Sequence, residues 1–303
     1  MKKYVSHLLE GGWNIAVRRL PCGTILQDRD TQFEIISNTW RTWAADPFLF
    51  RDNDELYIFA ELYDYIHRKG SIGYTKLING KWSKWRVVLD EPFHMSYPNI
   101  FKVEGNIFMV PETSAGHALR LYRASVFPNE WECIKNIAED IMWVDTTFFK
   151  ADGNIHALTT DVSDENNHKD YLLSFDEELN LITKQLVHED NINYSRPGGN
   201  FFFYNNMCYR VSQDCSSHYG GGMIFTSFDT SNVLCGLGDE ILHIFPKDIQ
   251  LDEKHNWSGV HTYNSLDDYE VIDIERKHFN IFGIFSRLFL KLKRWDMNYN
   301  HGK

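Results

Sequence analysis

At 303 residues, with 43% hydrophobic and 24% charged residues, the chain is long enough to bury a sizeable core and too apolar to be disordered. A formal net charge of −11 excludes the usual nucleic-acid binder, whose affinity for phosphate comes from Lys and Arg. Five scattered cysteines (Cys22, Cys133, Cys208, Cys215 and Cys235) form no CxxC pair, the pattern of a reduced intracellular protein rather than a disulfide scaffold or zinc site. No run approaches the roughly 20 apolar residues of a membrane span.

The N-terminus opens on a basic pair, but no apolar stretch of signal-peptide length follows, so export by the usual route is not expected. Trp13 to Arg18 reads as a strand that precedes the first full repeat. The repeat then sets the fold. Asp46-Pro47-Phe48-Leu49-Phe50, Tyr97-Pro98-Asn99-Ile100-Phe101, Asp145-Thr146-Thr147-Phe148-Phe149 and Arg196-Pro197-Gly198-Gly199-Asn200 each start an apolar strand, at a spacing of about fifty residues. A weaker fifth copy begins at Val260-His261-Thr262-Tyr263. Turn clusters at Asp52-Asn53-Asp54, Glu104-Gly105-Asn106 and Asp152-Gly153-Asn154 make each copy a hairpin. Three or four strands per unit, five times over, predict an all-β, five-bladed β-propeller across residues 1–275, its last blade closed by the N-terminal strand. A two-sheet sandwich is the competing architecture, and it needs no regular period. Nine Trp, fifteen Tyr and twenty-one Phe suit such strands, most of them as core.

In a propeller the innermost strands run along the axis, so Asp46, Tyr97, Asp145 and Arg196 are expected to form a ring. Counting back across each hairpin brings Glu61 beside Asp46, Glu112 beside Tyr97, and Thr160-Asp161 beside Asp145. Gln213-Asp214 is the corresponding pair in the fourth repeat. Any single Asp before Pro is an ordinary turn residue. Several acids at successive strand ends point instead to acid–base chemistry or to a divalent cation in oxygen coordination. The polar, glycine-rich loop from Gln213 through Tyr219 to Gly222 lies at the same end and is suited to sugar hydroxyls or phosphate, although three glycines in a row also make a plain turn. No P-loop or dinucleotide fingerprint is present.

From Arg276 to Trp295 the composition turns basic, with six Lys or Arg and no acid. Phe282, Phe285, Phe289 and Leu292 share one helical face, so 276–303 is expected to be a basic tail carrying an amphipathic helix. Its partner is a membrane surface, reached through 276–295, or else the propeller or another protein. The first choice sets the chain in the cytoplasm, peripheral at the inner face of the membrane.

Trp43-Ala44-Ala45-Asp46-Pro47 followed by LYIFAE resembles the first blade of glycoside hydrolase family 43 and family 32 propellers. EPFHMSYPNIF, MVPETSAGHALRLYRA, VDTTFF, SRPGG and SQDCSSHYG resemble, more closely, the N-terminal domain of glucosamine inositolphosphorylceramide transferases. The resemblance implies a carbohydrate substrate. In the hydrolases, Asp46 would match the base or nucleophile, and Asp145 the carboxylate that tunes the acid and orients substrate. Where family 43 supplies its general acid Glu, this chain has Ser195-Arg196-Pro197, and arginine does not release its proton. Arg196 either pairs with the acids or grips the phosphate of an activated sugar. Glu112 then becomes the candidate acid or base, with His261 second. Three readings follow. The first is a glycosyltransferase of polysaccharide or glycolipid assembly, moving sugar from a phosphate-activated donor to a lipid-linked glycan acceptor, with Asp46, Glu112 and Asp145 catalytic and Glu61, Tyr97, Asp161, Arg196, Gln213, Asp214, Tyr219 and His261 binding substrate. The second is a glycoside hydrolase, and the third a non-catalytic glycan-binding propeller.

Overall fold

The hairpin spacing becomes five antiparallel sheets in the computed structural model, which describes residues 9–189, 196–233 and 237–279. Two strands, β1 (Leu9–Arg18) and β2 (Glu34–Ile36), precede the first full blade. That blade is β3 (Thr42–Asp52), β4 (Glu55–Asp64) and β5 (Lys69–Ile78), with short β6 (Lys81–Trp82) and β7 (Arg86–Leu89) on its outer side. The second is β8 (Ser96–Val103), β9 (Asn106–Glu112), β10 (Ala118–Val126) and β11 (Glu130–Glu139). The third is β12 (Trp143–Ala151), β13 (Asn154–Asp161), β14 (Lys169–Phe175) and β15 (Leu181–Glu189). The fourth is β16 (Phe202–Tyr204), β17 (Met207–Asp214), β18 (Gly222–Phe228) and β19 (Leu237–Ile244). β20 (Trp257–Gly259), β21 (Tyr263–Leu266) and β22 (Tyr269–Phe279) form the fifth together with β1 and β2. The chain is therefore an all-β, five-bladed propeller.

Strand alternation explains how the blades hold together. Successive side chains face opposite sides of a sheet, so each blade sends one set to each neighbour. Phe48 and Phe50 join Met95, Tyr97 and Ile100 of the second blade, while Leu49 between them joins Ile15, Val17 and Val271 of the fifth. Among the described residues, each of five apolar clusters bridges one pair of adjacent blades. Around the axis, amide side chains connect the blades: Asn99 accepts from the Phe148 N–H and donates to Asn200, and Asn264 donates to the Pro47 carbonyl.

The ring closes as expected, with β1 lying along β22 from Leu9–Phe279 to Arg18–Glu270. Arg18 and Glu270 form a buried ion pair at this seam, 2.7 Å apart. The other arms of Arg18 donate to the carbonyls of Thr31 and Asp28, each at 2.8 Å, and Glu270 Oε1 accepts from the Ile25 N–H and the Tyr263 O–H. β22 runs to Phe279, so 276–279, read from composition as tail, pair with 9–12 of β1. The helical face from Phe282 to Leu292 lies outside the described residues.

One register expectation is corrected. The innermost strands carry a bulge at Asp46-Pro47, Tyr97-Pro98 and Asp145-Thr146, where two residues face one on the returning strand. Glu61 consequently stands opposite Ala45 rather than Asp46, Glu112 opposite Ser96, and Thr160 and Asp161 opposite Val144 and Trp143. Asp46, Tyr97 and Asp145 hold φ values of 52°, 46° and 51°, in the left-handed region that side chains rarely enter. The bulge re-aims these three residues relative to the strand.

Candidate active site

On one side of the axis the first and fifth blades build a carboxyl–imidazole–carboxyl chain. Asp46 Oδ2 accepts the Tyr97 N–H at 3.2 Å, Oδ1 accepts the Thr262 hydroxyl at 3.1 Å, and His261 Nε2 lies 3.3 Å from Oδ1. Behind the imidazole, Asp273 accepts the backbone N–H groups of His261 and Thr262, each at 3.0 Å, and that of Asp46 at 3.1 Å. His261 Nδ1 is 2.7 Å from Asp273, at ion-pair distance but not in hydrogen-bond alignment. Its ring stacks on Trp13 at 4.0 Å. Burial disfavours the imidazolium, but Asp273 and Asp46 outweigh it and raise the His261 pKa above its ordinary value. Burial, with Asp273 and Asp145 adding to it and His261 opposing, pushes Asp46 up to about 6.

On the other side the second, third and fourth blades share a guanidinium. Arg196 Nε donates to Asp145 Oδ2 at 2.6 Å, while its outer nitrogen lies 3.5 Å from Glu112 Oε2. The guanidinium carbon sits 5.2 Å from the ring centre of Tyr219. Gln213 Nε2 donates to the same Asp145 oxygen at 2.9 Å and to the Pro197 carbonyl at 3.0 Å. Burial pushes Asp145 up to about 6, with Arg196 working against it and Glu112 with it. Glu112 accepts from the Ser114 hydroxyl at 2.8 Å. Arg196 keeps 20% of its side chain exposed and Glu112 11%, against 3% for Asp145, so the guanidinium and Glu112 are the open groups.

Glu61 reaches the cluster from β4. Burial first, then the charges of Asp46 and Glu112, hold its carboxyl well above the usual range. Three of the expected residues do not join. Tyr97 is fully buried, its hydroxyl 2.7 Å from both Thr147 Oγ1 and the Gly199 N–H, so its ring ties the second, third and fourth blades together. Asp161 accepts from the Trp143 indole N–H at 3.3 Å and from the Ser163 N–H. Asp214 faces His243 at 2.7 Å and caps the Ser216 N–H; burial raises its pKa, and these partners bring it below the ordinary value. Asp273 and Trp13 were missed. The one available signal for Asp273 was an acid set between Ile272 and Ile274 in a buried strand.

Among the described residues, Asp46, His261 and Asp273 bring three ligand-type atoms within 4.8 Å of one another. The fit to a cation is poor. Asp273 already receives three backbone N–H groups, Asp46 receives an N–H and a hydroxyl, and the imidazole lies between the two carboxyls, which raise its pKa.

A family model described as glucosamine inositolphosphorylceramide transferase 1, N-terminal, matches residues 13–270. The chain belongs to that family. It is 31% identical over 217 residues to glucosamine inositolphosphorylceramide transferase 1 of Oryza sativa subsp. indica, covering 69% of this chain and 28% of the relative. The Arabidopsis thaliana protein of the same name is 34% identical over 187 residues, covering 59% of this chain and 24% of the relative. The chain thus spans about a quarter of the length of these transferases. Among solved structures, the catalytic domain of a Coprinopsis cinerea GH62 α-L-arabinofuranosidase superposes with a TM-score of 0.55 at 11% identity, covering 77% of this chain and 90% of that one. An exo-1,5-α-L-arabinanase from a bovine ruminal metagenomic library gives 0.50 at 13% identity, covering 78% and 94%. At these identities the likeness establishes a shared propeller fold.

Proposed function

We propose that this member of the transferase family moves a sugar from a phosphate-activated donor to a lipid-linked glycan acceptor, with the reaction at the funnel mouth. The observation that carries the reading is the uneven grip of Arg196, close on Asp145 at 2.6 Å and loose on Glu112 at 3.5 Å. A donor phosphate takes the loosely held outer nitrogen while Nε stays on Asp145, which orients the guanidinium. Glu112, released, accepts the proton of the acceptor hydroxyl. The acceptor oxygen bonds to the anomeric carbon, and the carbon–oxygen bond to phosphate breaks. The phosphate leaves with the electron pair, held by Arg196. Asp46, backed by His261 and Asp273, is the alternative base. The relatives' name, which specifies glucosamine and an inositolphosphorylceramide, supports an amino-sugar donor and a glycolipid acceptor. The basic composition of 276–295 supports work at the inner face of a membrane.

Thermal unfolding of wild type and Arg196→Ala with nucleotide sugars, sugar 1-phosphates and neutral oligosaccharides tests this. At about a hundred times its Kd a ligand adds about 2.7 kcal/mol, a rise of several degrees. A phosphate-bearing donor should raise the wild-type midpoint and leave Arg196→Ala unmoved. A rise only with neutral oligosaccharides, equal in both proteins, sinks the donor site and favours hydrolysis or glycan binding.

A further inference from the structure

Glu61 and His94 stand apart from the ion-paired groups of the mouth. The Glu61 side chain is 6% exposed, and its Oε1 is sealed from solvent without a hydrogen-bond partner. A buried oxygen left unmatched costs about 1–3 kcal/mol, so its retention calls for an explanation. The imidazole of His94, in the connection from β7 to β8, brings Nε2 to 3.5 Å from that oxygen. His94 Nδ1 accepts the Gly70 N–H at 3.0 Å. Burial, with Lys69 adding to it, lowers the His94 pKa below its ordinary value, and the nitrogen that accepts the Gly70 N–H carries no proton, so the ring is neutral in this arrangement. A neutral imidazole that accepts at Nδ1 carries its proton on Nε2, the nitrogen that faces Glu61. Glycine at position 70 is what permits this approach. A Cβ there would stand 2.4 Å from both Glu61 Oε1 and the Met95 carbonyl.

We propose that Glu61 donates a hydrogen bond to a sugar oxygen at the funnel mouth and that His94 orients it, the two forming a subsite for an uncharged part of the sugar. In this arrangement Oε1 is the acceptor facing the His94 N–H, which leaves the hydroxyl of the carboxyl for the ligand. The subsite rests on the carbohydrate reading above and adds a direction to it: donor phosphate at Arg196, neutral sugar hydroxyls at Glu61. The charged groups facing Glu61 are Asp46 on β3, Glu112 on β9, Asp145 on β12 and Asp273 on β22, all acidic, with His94 above it and Lys69 on β5 beside His94. They favour the neutral carboxyl and disfavour an anionic ligand group at this spot. His94 is a positioning residue.

The test is calorimetric titration of N-acetylglucosamine and glucose into wild type, Glu61→Gln, Glu61→Ala, His94→Gln and His94→Ala between pH 6 and 9. Wild-type affinity should fall as pH rises and Glu61 ionises. Glu61→Gln, whose amide keeps a donor without a charge, should bind within about twofold of wild type at pH 6 and lose the pH dependence. Glu61→Ala and His94→Ala should lose about tenfold, the size of one lost hydrogen bond, with partial rescue in His94→Gln. Should the alanine variants not fold, nitrogen NMR of His94 in the wild type still decides, because a proton on Nδ1 overturns the arrangement. Affinity that is flat with pH and equal in all five proteins removes the subsite and leaves the carbohydrate reading standing. No binding of either sugar to wild type overturns the subsite, while the donor-phosphate reading is decided separately by the thermal shift with nucleotide sugars.

Discussion

The seam of the propeller and its mouth each contain an arginine held by carboxylates, and the two arginines are used differently. At the seam, Arg18 is 1% exposed, and its arms end on Glu270 and on the carbonyls of Thr31 and Asp28. Both Glu270 oxygens are likewise engaged. At the mouth, Arg196 is 20% exposed, touches Glu112 only at 3.5 Å, and packs on a half-exposed tyrosine. A saturated network has no capacity left for a ligand and serves to hold β1 against β22. A network with one loose arm can exchange partners. Residue type alone does not separate structural from functional ion pairs here; the number of unfilled hydrogen-bond positions does.

The largest effect should come from breaking the saturated pair. Arg18→Ala leaves Glu270 buried without its counter-ion and two carbonyls without donors, a loss of about 3–5 kcal/mol. Denaturant unfolding measures it. A loss under about 1 kcal/mol would mean that the blade closes without the pair and that the contrast with the mouth is false.

The seam and the mouth also differed in how far they could be read from sequence. Closure by the N-terminal strand was legible, because Trp13 to Arg18 had no place in the first repeat. Asp46, Asp145 and Arg196 were legible as repeat positions, and they do converge. The bulges were not, because nothing in Asp46-Pro47 or Tyr97-Pro98 announces a left-handed φ on the first residue. That single extra residue shifts the pairing of Glu61 to Ala45. Counting set Asp161 beside Asp145, but the bulge puts it opposite Trp143, and the side chains of Asp161 and Asp214 are each taken by a partner in their own blade, Trp143 and His243. Asp273 was hidden for a different reason. It lies opposite the His261-Thr262 step, where the first blade has Ala60, so the repeat gave no cue to an acid there.

A pH series sharpens the comparison next. Asp46 and Asp145 sit at about 6 in the folded protein, above the ordinary aspartate value near 3.8. The folded state therefore binds these protons more tightly than the unfolded one. Their contribution is fully present below about pH 4 and is lost as pH rises through about 6, on the order of 3 kcal/mol for each buried group. Asp46→Asn removes one titration and keeps a residue that tolerates the left-handed φ of 52°. Between pH 4.5 and 7 its midpoint should gain about 3 °C on the wild type. Parallel curves would show that Asp46 ionises at its ordinary pKa and that the mouth stores no such strain.

The smallest effect on stability should be at the arginine with the larger effect on ligand. When Arg196 is replaced by Ala, Asp145 has an outlet that costs little. Its carboxyl already titrates near 6, so at pH 6 it takes up a proton in place of the guanidinium. Glu112, 11% exposed, turns to water. The loss at pH 6 should be about 1 kcal/mol or less, several times smaller than for Arg18→Ala, and it should grow toward pH 8 as protonation becomes harder. Denaturant midpoints at the two pH values check both the size and the direction. A loss at pH 6 as large as that of Arg18→Ala would make Arg196 a second structural pair. It would then have no arm to spare for a phosphate.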